Sequence, residues 1–315
     1  MKLWDAASGR LLRSIEGHFA VVSSVALSVD RKTLASGSYD MTVRLWEVAS
    51  GRLLRALKGH SSALNSVAFS PDGKTLASAS QDQTVKLWGT AFGQLLRTIE
   101  GHSGYVTSMA FSADGKILAS GSWDNTIKLW EVDSGRLLRT LQGHFNPVSS
   151  VAFSANDNTL ATGSYDKKIK LWEVATGRLL QTIEGIPSPV NSVVFSTDGK
   201  ILAAGTMNDT VMLWEVTSGQ LLHILPEFCT KIKSQRKKNC NEREFVNFRK
   251  YLLHQLGKIM FLGVVDEILD FKGFFRCSSH FVAKLRYYKG IPMMLSRWRC
   301  LWTAKPLRLE VLITR

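Results

Sequence analysis

The chain has 315 residues, 45% of them hydrophobic, and a formal net charge of +14. Such a composition excludes a disordered or fibrous polypeptide and allows a sizeable buried core. The charge is uneven: residues 226–315 hold 19 Lys/Arg against 7 Asp/Glu and all four cysteines, whereas residues 1–225 hold 21 against 19 and no cysteine.

The chain begins MKLWDAASGRLL, which lacks the uninterrupted apolar core of a signal peptide. It reads as two short strands, Lys2–Trp4 and Arg10–Ile15. From there a 42-residue unit repeats, marked by Trp4, Trp46, Trp88, Trp130, Trp172 and Trp214. A period of about 40–45 residues is the length of one four-stranded propeller blade. Within the unit 101–142 the predicted strands are Val106–Phe111, Ile117–Ser122, Ile127–Glu131 and Arg136–Leu141. The separators Ala113-Asp114-Gly115, Asp124-Asn125 and Asp133-Ser134-Gly135 are turn formers, because Gly accepts positive φ and Asp or Asn bonds its own backbone. A sheet of this kind has two apolar faces and needs a like neighbour on each side. Full units fall at about 19–57, 61–99, 103–141, 145–183 and 187–225, which with the two opening strands makes five blades and half of a sixth.

Four of these units also carry a Gly-His pair, a Ser or Thr in the second strand, an Asp in the next turn and a Trp in the third strand. On these residues the segment 1–225 resembles the WD-repeat (Trp-Asp repeat) β-propellers. The resemblance implies an all-β propeller of four-stranded antiparallel blades, with the four side chains hydrogen-bonded inside each blade. The implied sets are His18, Ser36, Asp40 and Trp46; His60, Ser78, Asp82 and Trp88; His102, Ser120, Asp124 and Trp130; and His144, Thr162, Asp166 and Trp172. The fifth copy replaces three members together, with Ile186, Ala204 and Asn208 beside Trp214. Losing the network whole is cheaper than orphaning one member, so this blade is expected to keep its shape with less rigidity.

A recurring His, Ser and Asp also invites a serine-hydrolase reading. Catalysis needs one exposed constellation with an oxyanion hole, whereas this trio occurs four times beside a Trp donor. The reading is therefore non-enzymatic, with no catalytic residue and no cofactor.

Function should lie where the repeats differ. The residue before the tetrad Asp is Tyr39, Gln81, Trp123, Tyr165 and then Met207, and the segments after Gly-His begin Phe19, Ser61, Ser103 and Phe145. The resemblance places both positions in loops on one rim, at the mouth of the central channel. Phe19, Tyr39, Tyr105, Trp123, Phe145 and Tyr165 would then form a partner-binding face for a peptide or protein, since aromatics bury much area with few rotors to freeze. The alternatives are packing over the blade tops, or a sensor fragment of a larger nucleotide-binding or kinase-type signalling protein. No Gly-x-x-x-x-Gly-Lys-Ser/Thr phosphate loop occurs in the sequence. Arg10, Arg13, Arg52, Arg55, Arg97, Arg136, Arg139 and Arg178 recur in the outermost strand, largely offset by recurring glutamates, as a solvated strand that discourages edge pairing.

Composition changes near Pro226, taken as the boundary of a basic C-terminal segment, 226–315, that is α-helical or irregular. Lys231–Lys238 could touch phosphates, which makes nucleic-acid binding an alternative confined to this segment. Phe245, Phe248, Leu252, Leu256 and Ile259 fall at helical spacing, predicting a helix over about 243–262. Cys277-Ser-Ser-His280 has half of a metal-ligand spacing, but Cys229, Cys240 and Cys300 supply no second close pair, so no metal site is assigned. The break in composition fits an appended module or a frameshifted or fused segment. No Gly-His or third-strand Trp follows Leu225, so an unclosed ring, a fragment of a longer protein, or self-association through open edges is expected. Absence of cysteine from residues 1–225 and of a long apolar run leads us to expect a cytoplasmic protein without a membrane span.

Overall fold

The computed structural model describes residues 1–5, 10–208, 210–225 and 310–313. Two strands open the chain, β1 (Lys2–Asp5) and β2 (Leu11–Ser14). The first full blade holds β3 (Val22–Leu27), β4 (Thr33–Ser38), β5 (Thr42–Glu47) and β6 (Leu53–Lys58). The second holds β7 (Leu64–Phe69), β8 (Thr75–Ser80), β9 (Val85–Gly89) and β10 (Leu95–Ile99), and the third β11 (Val106–Phe111), β12 (Ile117–Ser122), β13 (Ile127–Glu131) and β14 (Leu137–Leu141). The fourth holds β15 (Val148–Phe153), β16 (Thr159–Ser164), β17 (Ile169–Glu173) and β18 (Leu179–Ile183), and the fifth β19 (Val190–Phe195), β20 (Ile201–Thr206), β21 (Val211–Glu215) and β22 (Leu221–Leu225). Each blade is a four-stranded antiparallel meander in chain order, and the described residues contain no helix. In the third blade only the fourth strand departs from its predicted start, beginning at Leu137.

The core lies between blades. Val43, Leu45 and Leu57 of the first pack against Leu64, Val67, Leu76 and Trp88 of the second, and later junctions repeat the arrangement. Second strands are buried along nearly their whole length, which explains their small residues. A Cβ on Gly121 would stand 2.7 Å from Val148 Cγ1 of the following blade.

Polar links keep the blades in step. Ser23 Oγ donates to Leu64 O (2.5 Å), Asn65 Nδ2 to Val106 O (2.9 Å), Thr107 Oγ1 to Val148 O (2.5 Å) and Ser149 Oγ to Val190 O (2.6 Å). Each link joins equivalent positions of successive first strands, so the same end of every blade faces the same way.

The outer strands are largely solvent-exposed, as the sequence suggests, and several of their arginines also bond carbonyls or glutamates. Arg13 donates to Ser50 O at 2.7 Å and Ala49 O at 2.5 Å, Arg55 to Ala91 O at 2.8 Å, and Arg139 to Ala175 O, each reaching the next blade's turn. Arg52, Arg136 and Arg178 stand 3.9, 3.6 and 3.6 Å from Glu47, Glu131 and Glu173 of their own blades. The charges are thus matched or engaged with carbonyls, which leaves little of a cationic belt.

Leu3 of β1 and Ile15, just after β2, pack on Leu34 and Trp46 of the first full blade. A strand after Leu225, β23 (Glu310–Ile313), completes a three-stranded sheet in the order β2-β1-β23. It runs parallel to β1, with Lys2 opposite Glu310 and Trp4 opposite Leu312. Four residues carry too little periodicity for the sequence to have shown this strand. The predicted helix over 243–262, the basic run Lys231–Lys238, the Cys277–His280 spacing and Cys229, Cys240 and Cys300 lie outside the described residues.

Candidate functional site

In four blades the third-strand tryptophan, the second-strand hydroxyl, the Gly-His imidazole and the turn aspartate form one chain of hydrogen bonds. Trp46, Trp88, Trp130 and Trp172 donate from Nε1 to the hydroxyls of Ser36, Ser78, Ser120 and Thr162 at 2.7, 2.8, 2.7 and 2.9 Å. Those hydroxyls lie 2.7, 2.8, 2.8 and 2.8 Å from Nε2 of His18, His60, His102 and His144. Nδ1 of the same histidines is 2.8, 2.7, 2.7 and 2.8 Å from Oδ2 of Asp40, Asp82, Asp124 and Asp166. One tautomer satisfies every member: the hydroxyl accepts from indole and donates to Nε2, and Nδ1–H donates to carboxylate. The four hydroxyls are fully buried and committed at both ends, so none is poised to attack a substrate.

The carboxylate has a second duty. The same Oδ2 accepts the backbone amide of the residue after the histidine, from Phe19, Ser61, Ser103 and Phe145 at 3.1, 3.0, 3.0 and 3.2 Å. The turn before the aspartate bonds the same segment, through Tyr39 N to Val21 O at 2.8 Å, Trp123 N to Tyr105 O at 2.9 Å and Tyr165 N to Pro147 O at 3.0 Å. Both variable positions therefore share one end of each blade.

Of the six aromatics singled out from sequence, Phe19 and Phe145 stand 91% and 77% exposed. Tyr39, Tyr105, Trp123 and Tyr165 are half-buried. Tyr105 and Trp123 rest on each other with ring centroids 5.2 Å apart, and the Arg44 guanidinium lies 5.3 Å from the Phe19 ring centre. The set is thus two largely exposed phenylalanines and four half-buried rings, of which Tyr105 and Trp123 brace each other.

The family model for the WD domain, G-beta repeat, matches residues 9–47 and 51–89, and the model for the IFT122 first beta-propeller matches residues 83–231. The chain belongs to the WD-repeat β-propeller family. A comparison with curated proteins found no match. WD-repeat propellers generally serve as protein-interaction scaffolds, and the described residues hold no cluster of three or more acidic, His or Cys side chains able to hold a metal ion.

The electrostatics of the WD-repeat tetrads follow from burial and bonding. Burial pushes the Asp40 carboxyl up, but the Thr42 hydroxyl, the His18 imidazole and the Phe19 amide outweigh it and hold it at about 2. Burial likewise pushes Asp82, Asp124 and Asp166 up, but the bond to the histidine leads in holding them below the ordinary carboxylate range. Burial also lowers His18, against the pull of Asp40.

Sequence reasoning missed a fifth member. Thr42, Thr84 and Thr126 donate from Oγ1 to Oδ1 of Asp40, Asp82 and Asp124 at 2.6, 2.7 and 2.6 Å. The signal was present as Asp-x-Thr at the repeat period. In the fourth WD repeat Lys168 takes that position and pairs with Glu184 at 2.5 Å. In the fifth, Ile186, Ala204, Met212 and Trp214 merge into one buried apolar cluster, so packing fills the place of the polar chain.

Proposed function

We propose that this protein is a protein-interaction scaffold whose loop face, bearing Phe19, Tyr39, Tyr105, Trp123, Phe145 and Tyr165, grips a peptide or protein partner. The observation that carries this reading is the placement of Phe19 and Phe145. Both rings are largely in water, yet their backbone amides are fixed by the buried carboxylates of Asp40 and Asp166. A large apolar ring exposed to solvent contributes little to folding, and carried on a fixed backbone it binds with less ordering cost than on a loose loop. Rigid display needs no chemistry of its own, in keeping with a scaffold rather than a catalyst.

The test is a comparison of proteins captured by the intact chain and by a Phe19→Ala/Phe145→Ala variant, with thermal melts to show that both are folded. Loss of a defined partner set with an unchanged melting temperature supports the reading. An unchanged set places the binding surface elsewhere. The alternatives of a signalling-sensor fragment and of nucleic-acid binding have no supporting observation among the described residues.

A further inference from the structure

The indole of Trp4 is the one tryptophan donor that, among the described residues, is buried without a hydrogen-bond partner. Trp4 occupies in β1 the place that Trp46 occupies in β5. In that blade the second strand is antiparallel, with Leu34 opposite Trp46, Ala35 opposite Leu45 and Ser36 opposite Arg44. The hydroxyl two residues beyond the tryptophan's own opposite number is the one that receives the indole N–H, at 2.7 Å. Three further blades repeat that register with Ser78, Ser120 and Thr162.

Against β1 stands β23 instead, and it runs parallel. Glu310 falls opposite Lys2, where the full blades place the hydroxyl residue, and Leu312 falls opposite Trp4. Parallel pairing is slightly weaker per residue than antiparallel pairing. It also leaves the Trp4 donor unmet, which in a buried place is costly. The opening sheet is therefore completed by a strand that pairs with its backbone while the Trp4 donor stays unmet.

We propose that the β1 edge is a strand-acceptor site for an antiparallel extended segment of a second polypeptide, of the form Leu-Ala-Ser/Thr-Gly, which displaces β23. Specificity comes from the pairing rules of this molecule: leucine opposite Trp4, a small residue opposite Leu3, and a hydroxyl residue opposite Lys2 to accept the indole N–H. Main-chain bonds supply the affinity and alternate side chains the selection, as in other strand-addition complexes. This surface is separate from the aromatic loop face, so its failure leaves the scaffold reading untouched.

The probe is a fluorescent synthetic peptide with the sequence of residues 32–39, KTLASGSY, titrated into the full chain, beside a version with alanine in place of the Ser36 equivalent. The hydroxyl peptide should bind about tenfold more tightly than the alanine peptide, the size of one hydrogen bond. Val311→Pro puts a proline in the middle of β23, which should weaken its pairing with β1 and strengthen binding of both peptides. Trp4→Phe should abolish the preference for the hydroxyl. If that variant does not fold, the Trp4 indole N–H resonance of the intact protein serves instead, moving with the serine peptide and not with the alanine one. Equal affinities for the two peptides, or no binding even by the Val311→Pro chain, overturns the proposal. So does binding that leaves the Trp4 resonance unmoved.

Discussion

The backbone amide of Phe145 donates to Asp166 Oδ2 at 3.2 Å, the same oxygen that lies 2.8 Å from His144 Nδ1. A surface ring and a buried tetrad thus share one atom. Asp166→Ala removes both bonds and leaves His144 without its buried partner, at an expected cost of about 1–3 kcal/mol. It should also free the Phe145 segment. Thermal unfolding checks the first effect and hydrogen exchange at the Phe145 amide the second. An unchanged exchange rate would show that the segment is held by Tyr165 N and Pro147 O alone.

The hydroxyl of each tetrad joins two ring nitrogens, accepting from the indole and lying against the imidazole. Ser120→Ala strands both Trp130 Nε1 and His102 Nε2, and about 1–3 kcal/mol should be lost. The fifth blade shows the other solution, where Ile186 and Ala204 pack against Trp214 without the chain of bonds. The triple change His102→Ile/Ser120→Ala/Asp124→Asn should therefore cost less than the sum of its three single changes. A mutant cycle of chemical denaturation measures the difference, and strict additivity would contradict the network account.

The glycine of each Gly-His pair answers to its backbone, at φ +154° in Gly17 and +147° in Gly143, and to the nearby tryptophan. A Cβ on Gly17 would lie 2.7 Å from Trp46 Cη2 and 3.0 Å from Arg44 Nη1, whereas on Gly143 the nearest atom, Trp172 Cη2, is 3.3 Å away. Both changes strain a backbone that favours glycine; Gly17→Ala adds overpacking and should destabilise by about 1–3 kcal/mol, and Gly143→Ala, with more room, by less. Paired denaturation curves decide the order, and a larger loss at Gly143 would mean that the first blade yields more easily than its packing suggests.

The repeat period, the strand limits and the tetrad members were legible in the sequence because each is copied at a fixed spacing, and copies reinforce a weak local signal. Features formed between copies were not. The reach of Arg13 to Ala49 and Ser50 depends on how neighbouring blades stagger, and no single repeat encodes it. The sharing of Asp40 Oδ2 between His18 and Phe19 N likewise needs the loop's path. The strand Glu310–Ile313 has no partner pattern nearby, since its pairing residues lie at the opposite end of the chain. The sequence also makes the six loop aromatics look equivalent, and only the structure separates exposed Phe19 and Phe145 from the braced Tyr105 and Trp123.

Acid should weaken the propeller in two stages. His18 is held below its ordinary value of 6.5, so the unfolded chain takes up that proton more readily than the folded one. Its contribution is complete above about pH 6.5 and is lost as pH falls through the lower folded value. Asp40, held at about 2 against an ordinary 3.8, behaves in the same sense in a more acidic window. Its contribution is complete above about pH 4 and disappears as pH approaches 2. Asp82, Asp124 and Asp166 are also lowered, so the second stage should be the steeper. Melting temperature measured from neutral to strongly acidic pH should be flat at first, then decline gently, then collapse. His18→Gln should remove most of the gentle decline while leaving the collapse in place. If that variant keeps the whole gentle decline, proton uptake at His18 is not its cause, and the burial argument for this imidazole fails.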